Sequence, residues 1–162
     1  MELSGEIVGG HFFEGVQGLQ FASHEAIRTL QRSFPETEGD AVYWMNATDP
    51  ASLCGVKLEE LEQPLPRRLN SNYLVFRNEK LVLVLGRKGR EARFYVEPED
   101  ASIQTYLHVY RKILDGAGNV STLIRVERIN GRPAVESPYR EQLLTFGFTR
   151  SHRDLVIRRS YR

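Results

Sequence analysis

Cysteine is almost missing from this 162-residue chain: Cys54 stands alone. No internal disulfide can form, and a reducing, cytoplasmic setting is expected. No apolar run approaches the ~18 residues that a membrane-spanning helix requires. The start, Met1-Glu2-Leu3-Ser4-Gly5, has neither a basic opening nor an apolar core, so a secretory signal is not expected. A G-x-x-x-x-G-K-[ST] phosphate loop is absent, as is a paired Asp-Glu beside histidine for magnesium, so no ATPase chemistry is expected in these residues. His11, His24, His108 and His152 are widely spaced, with neither Cys-x-x-Cys nor His-x-x-x-His, and no metal centre is expected. Internal repeats and low-complexity segments are also lacking.

What remains is the composition of one folded domain, or one domain with an appended element: 41% hydrophobic and 27% charged residues. The net charge of +1 hides a polarity. Residues 1–80 hold 7 Lys and Arg against 12 Asp and Glu, a balance of −5, whereas residues 81–162 hold 15 against 9, a balance of +6. Arg150, Arg153, Arg158, Arg159 and Arg162 crowd the last 13 residues against Asp154 alone. Such a basic end suits nucleic acid or an acidic neighbouring domain. It equally suits an edge strand protected from aggregation by its charges.

Hydrophobic patterning divides the chain near residue 40. In residues 1–35, Glu6-Ile7-Val8 and His11-Phe12-Phe13-Glu14 read as a hairpin around Gly9-Gly10, and Leu19 to Ala22 as a third short strand. Ser23 is placed to cap a helix from His24 to Ser33, with Ile27, Leu30 and Phe34 on one face. A glycine-rich hairpin with no helices before it resembles the wing of a winged helix whose body lies upstream; a plain N-terminal hairpin is the alternative. Residues 40–162 read as a second domain. Strands are expected at 41–46, 73–76, 80–85 and 92–96, with irregular chain over 51–72, where Pro64 and Pro66 forbid a long helix. A helix opens near Pro98-Glu99-Asp100, and Ile103, Tyr106, Leu107, Tyr110, Ile113 and Leu114 form one stripe along it. After Gly116 and Gly118, a strand over 123–129, an Asn130-Gly131 type I′ turn and a strand over 132–136 follow. Ser137 and Pro138 open a short helix that Gly147 ends, and a basic strand over 155–159 closes the chain. The expected fold class is α+β: a bent, mostly antiparallel sheet or partly open β-barrel with one long and two short helices, preceded by a winged-helix-like hairpin.

Few residues point to chemistry. Gly86-Arg87-Lys88-Gly89 has the glycines of an anion-binding loop, yet between two apolar strands it reads as a hairpin turn. Its Arg87 and Lys88, with Arg90, remain able to touch a phosphate backbone. Asp49, in Ala47-Thr48-Asp49-Pro50, follows a buried strand where a catalytic carboxylate could be presented; an Asx-turn is its commoner use. Cys54 has no base nearby in sequence and reads as a small, partly buried thiol. His108 reads as structural, and Glu127 and Glu136 as exposed partners of Arg125, Arg128 or Arg132. Of the many aromatics, Phe12, Phe13 and Trp44 are the candidates for stacking on bases of single-stranded DNA, an interaction worth about 1–3 kcal/mol per base.

Several strings together resemble one family. Val126-Glu127-Arg128-Ile129-Asn130-Gly131-Arg132-Pro133-Ala134-Val135-Glu136-Ser137-Pro138 is similar to the C-terminal end of the core of large helicase-related (Lhr) DNA repair helicases, the DEAD/H-associated region. Gly5-Glu6-Ile7-Val8, Gly10, Phe12, Glu14-Gly15, Gly18 and Gln20-Phe21-Ala22 resemble the family segment that follows its upstream helices. Ala47-Thr48-Asp49-Pro50-Ala51, with Gly55, resembles its Ala-Thr-Asp-Pro-Ala-Asn-Pro-Tyr-Gly element, although Ser52-Leu53-Cys54 replaces Asn-Pro-Tyr. The resemblance implies a superfamily 2 helicase that uses ATP and magnesium, in motor domains lying elsewhere, to move 3′→5′ on single-stranded DNA during repair. It implies RecA-like and winged-helix domains of the same polypeptide as partners and a bacterial or archaeal nucleoid setting. This segment itself would need no cofactor and would be non-catalytic, with Arg87, Lys88, Arg150, Arg153, Arg158 and Arg159 as phosphate contacts. Two alternatives stand beside it: a purely structural docking domain, and a winged-helix glycosylase-like module in which Asp49 activates water at a flipped base.

Overall fold

The computed structural model describes residues 5–12, 18–32, 40–56, 63–116 and 121–159. The chain forms two compact units, Met1–Asp40 with Gly55–Pro64 and Ala41–Cys54 with Leu65–Arg162. Among the described residues the fold is mixed α+β, with three α-helices and three open sheets.

In the first unit β1 (Ile7–Gly10) pairs antiparallel with β2 (Gln20–Ser23), which runs directly into α1 (His24–Arg32). The expected Gly9-Gly10 turn is not there. Both glycines lie within β1, opposite Phe21 and Gln20. The Phe12 ring explains how: a Cβ on Gly10 would come within 3.3 Å of it, so the missing side chain makes room for the aromatic. Phe12 also donates its N–H to Gln20 Oε1 at 2.7 Å. The expected strand over 11–14 is absent at His11 and Phe12, and its other half lies outside the described residues. Ser23 caps α1 as its side-chain chemistry requires: its Oγ accepts the Ala26 N–H at 3.1 Å, satisfying a donor that a helix start leaves open. Phe34 lies outside the described residues.

In the second unit β3 (Val42–Asn46), β4 (Tyr73–Arg77), β5 (Lys80–Gly86) and β6 (Glu91–Phe94) form an antiparallel meander. Helix α2 (Ile103–Asp115) follows, starting five residues after Pro98. The delay has a local cause. The Asp100 carboxylate accepts the Ser102 N–H at 2.8 Å, an Asx-turn that holds the preceding residues out of helical geometry. The apolar stripe is buried throughout, and Val109 joins it. At about 1.5–3 kcal/mol per large apolar side chain, this face is the largest single helical contribution to the core.

Beyond α2, the strand expected over 123–129 is broken into two. β7 (Leu123–Val126) joins one sheet and β8 (Arg128–Ile129) another. β8 lies parallel to β6, and β9 (Arg132–Pro133) returns antiparallel to β8 through Asn130 and Gly131, whose φ values of 48° and 80° make the type I′ turn. β9 stops at Pro133, and a 3₁₀ turn over Ala134–Glu136 replaces the rest of the expected strand. Ala134 donates its last ladder bond to the Glu127 carbonyl and is fully buried there, which turns the chain inward. Ser137 Oγ accepts the Tyr139 N–H at 3.3 Å, and the regular helix α3 (Arg140–Phe146) begins one turn after it. A Schellman motif ends α3: Gly147 (φ 113°) donates to Leu144 O and Phe148 to Leu143 O. The last hairpin, β10 (Thr149–Ser151) and β11 (Asp154–Arg158), completes the order β10-β11-β7. Among the described residues neither this sheet nor the six-stranded β3-β4-β5-β6-β8-β9 sheet closes into a barrel; where a bent, mostly antiparallel sheet or partly open barrel is expected, two open, mostly antiparallel sheets share one core.

That core gathers Leu83, Leu85 and Phe94 from the meander, the α2 stripe, and Ile124, Val126, Leu155 and Ile157 from the smaller sheet. The opposite face of the meander is covered by Ala47, Cys54 and Leu65 packed on Leu74 and Leu81. Two core tyrosines differ in a way that can be tested. The Tyr139 hydroxyl donates to Val96 O at 2.5 Å, whereas the Tyr110 hydroxyl has no protein hydrogen-bond partner among the described residues. Burial raises the Tyr110 pKa well above its ordinary value. Tyr139→Phe is expected to lower unfolding stability by about 1 kcal/mol, and Tyr110→Phe to leave it equal or higher. Because the folded chain keeps the Tyr110 proton that the unfolded chain releases near pH 10, stability should fall above about pH 10. Tyr110→Phe should shrink that alkaline loss in denaturant titrations.

Candidate nucleic-acid interface

The turn between β5 and β6 carries three successive positive-φ residues, a run found nowhere else among the described residues. Arg87, Lys88 and Gly89 have φ of 53°, 58° and 87°, three successive residues in the left-handed region. For a non-glycine residue this conformation costs about 1–2 kcal/mol, so something must hold it. Gly89 is buried, and a Cβ there would meet Ile124 Cγ2 at 3.0 Å and Tyr110 Cε1 at 3.1 Å. Lys88 donates its N–H to Ser71 O at 2.8 Å. The glycine seats the turn on the core while the two preceding side chains are thrown outward and remain exposed.

They project into an open groove of about 870 Å³, whose walls come entirely from the second unit. Five cations line it: Arg87, Lys88, Arg90, Lys112 of α2 and Arg125 of β7. Among the described residues no carboxylate lines it. Trp44 and Tyr73, neighbours on β3 and β4 with ring centroids 6.5 Å apart, add an aromatic wall, and Asn70 and Ser71 add neutral polar groups. Trp44 is 42% exposed. Carboxylates stand behind several of the cations. Arg87 lies 3.1 Å from Glu91 and 4.0 Å from Glu127, Arg90 lies 3.6 Å from Glu127, and Arg125 lies 3.0 Å from Asp154. These pairs are partly exposed and contribute about 1 kcal/mol or less each, so they orient side chains more than they hold the fold.

Of the residues singled out from sequence, the groove unites Arg87, Lys88, Arg90 and Trp44. It does not include the C-terminal arginines. Arg150 is exposed on β10 and Arg153 in the β10–β11 turn. Arg158 ends β11, and its carbonyl accepts Arg111 Nη1 at 3.1 Å. Arg159 turns back to donate to the Leu114 carbonyl in the last turn of α2, with Asp115 4.0 Å from its Nε, a use suited to the negative end of a helix. Phe12 packs within the β1–β2 hairpin, while Phe13 and Arg162 lie outside the described residues. Asp49 makes an Asx-turn: its Oδ1 accepts the Ala51 N–H at 2.9 Å. Arg68 secures the same loop by donating to the carbonyls of Thr48, Asp49, Ser52 and Cys54 at 3.2–3.4 Å. The Cys54 side chain is fully buried. Lys112, Arg125 and Tyr73 were not singled out from sequence as groove residues. Lys112 sits in the last turn of α2 and Arg125 faces out of β7, and neither position announces which groove it will meet.

A groove lined by cations and an aromatic pair, without carboxylates, belongs to the class of surfaces that can follow a polyanion. Comparison with known proteins adds a family context. Residues 1–42 match the family model described as the winged-helix domain of large helicase-related protein. Over 161 residues, 96% of this chain, the sequence is 27% identical to the Lhr helicase/uracil glycosylase of Escherichia coli (strain K12). The chain spans about a tenth of that relative's length. The family match thus falls on a winged-helix domain at the start of the chain, not on the DEAD/H-associated core region expected from the C-terminal string.

The seat of the turn is directly testable. Gly89→Ala adds a Cβ at positive φ against Ile124 and Tyr110. It should lower unfolding stability by about 1–3 kcal/mol, measured by denaturant titration.

Proposed function

We propose that this chain is a non-catalytic accessory segment of an Lhr-type, ATP-dependent DNA helicase, and that its groove binds single-stranded DNA. The observation that carries the reading is the groove itself: five cations and the Trp44–Tyr73 pair on one surface with no lining carboxylate. Cations neutralise backbone phosphates independently of sequence, and an exposed aromatic stacks on any base. The similarity to an Lhr helicase/uracil glycosylase supports the helicase setting; in this reading ATP, magnesium and the RecA-like motor belong to other parts of the polypeptide. The β1–β2 hairpin with α1 would then be the tail of a winged helix, in keeping with the family match over residues 1–42. In this reading Arg150, Arg153 and Arg158 are secondary contacts at most, and Arg159 serves the end of α2. A purely structural docking role remains the rival, and it requires no affinity for DNA. The relative's name includes a uracil glycosylase, but a water-activating role for Asp49 has little support here, since its carboxylate is committed to a backbone turn.

Trp44 is the only tryptophan in the sequence, which makes its fluorescence a specific reporter of the groove. Single-stranded oligothymidylate should quench it in a titration of the whole chain at low salt. Trp44→Ala should weaken binding by about 1–3 kcal/mol, read by fluorescence anisotropy of a labelled oligonucleotide. Absence of both quenching and anisotropy change at low salt would favour the docking role.

A further inference from the structure

The five cations of the groove are not equivalent, and the difference identifies which of them a phosphate meets first. Arg87 lies beside the carboxylates of Glu91 and Glu127, Arg90 beside that of Glu127, and Arg125 is held by Asp154 at 3.0 Å. A phosphate approaching any of these three must compete with an anion already in place. Lys88 and Lys112 have no acidic partner within 4.0 Å among the described residues, and both are exposed. They reach the same groove from different elements, the β5–β6 turn and the last turns of α2.

Lys88 carries a second, independent mark. Its backbone sits at φ 58°, ψ 39°, a conformation that glycine would adopt without strain. The chain nevertheless presents a lysine there, on a turn fixed by Gly89 in the core and by the Ser71 carbonyl. Arg87 shares this left-handed backbone, and the fixed turn sets the direction in which the Lys88 side chain leaves it.

We infer that Lys88 and Lys112 form a two-lysine clamp for the phosphate backbone of single-stranded DNA, and that Glu91 and Glu127 hold the neighbouring arginines in a partly neutralised reserve. This rests on the groove being a DNA site. It goes beyond that reading by assigning the primary phosphate contacts and a carboxylate brake on the remainder. An ammonium is a point charge that accepts a phosphate from many directions, which suits a site that must let the strand move.

The test is anisotropy titration of a labelled oligothymidylate with the whole chain over a range of salt. Lys88→Gly should relieve the turn, so thermal stability is unchanged or raised, while affinity at moderate salt falls about fivefold and the log–log salt slope drops by about 0.7. Lys112→Ala should do the same to affinity and slope. Glu91→Gln, which removes the nearer of the two carboxylates beside Arg87, should tighten binding. Lys80→Ala, exposed at the start of β5 and outside the groove, should leave it unchanged. Wild-type protein that binds while Lys88→Gly and Lys112→Ala keep full affinity and slope overturns the clamp but leaves the DNA site standing. Weaker binding by Glu91→Gln overturns the brake. Wild-type protein that fails to bind at low salt removes both the clamp and the DNA site.

Discussion

The Arg90 carbonyl accepts two backbone N–H groups, from Glu127 at 2.8 Å and Arg128 at 3.3 Å. Here the chain leaves one sheet for another. Residues up to Val126 ladder with β11, residues from Arg128 ladder with β6, and the double acceptance keeps both donors paired while the strand changes direction. Each such bond contributes about 0.5–1.5 kcal/mol, so the shared acceptor favours the crossing. Asn130 completes the junction. Its amide accepts the Phe94 N–H at 2.8 Å and donates to the Phe94 carbonyl at 3.1 Å, standing in for a strand peptide where β8 has already turned away. The two sheets are joined by these few bonds, and a shared core forms between them.

The groove is a by-product of that crossing. Because β7 and the β5–β6 turn meet at Arg90 and Glu127, Arg125 on one and Arg87, Lys88 and Arg90 on the other come to line one surface. Gly89 sets its depth. With hydrogen in place of a side chain, the turn settles against Tyr110 and Ile124, and the left-handed backbone before it directs two basic side chains outward. Packing and charge presentation are thus two outcomes of one turn. The energy stored in the two strained residues is small beside the burial of the α2 stripe, which is why the fold tolerates it.

Charge distribution across the second unit follows from the same geometry. Glu91, Glu127 and Asp154 lie beside arginines of the groove without lining it, so a strongly basic surface persists in a nearly neutral chain. The C-terminal arginines, so prominent as a cluster in sequence, are dispersed by the β10–β11 hairpin and by the return of Arg159 to the end of α2. Clustering along a chain and clustering in space are different quantities, and a hairpin separates them.

The elements with local causes were legible without any structure. The α2 stripe, the Asn130-Gly131 turn, the Ser23 cap and the Gly147 stop each depend on a few neighbouring residues whose backbone preferences or periodicity are visible in sequence. The Gly9-Gly10 strand was misread because a glycine pair signals a turn unless an aromatic such as Phe12 fills the space above it. The continuous strand over 123–129 was misread because its break depends on an acceptor, Arg90, far away in the chain. Arg87, Lys88, Arg90 and Trp44 are legible in sequence as basic and aromatic candidates, while Lys112, Arg125 and Tyr73 join them only through tertiary contact. Sequence by itself determined the caps, the turns and the apolar faces, because those rest on short-range sterics and period. Only the tertiary structure decided which sheet each half of a strand would join, and which charges would share a groove, because those depend on hydrogen-bond acceptors and packing surfaces brought together from distant residues.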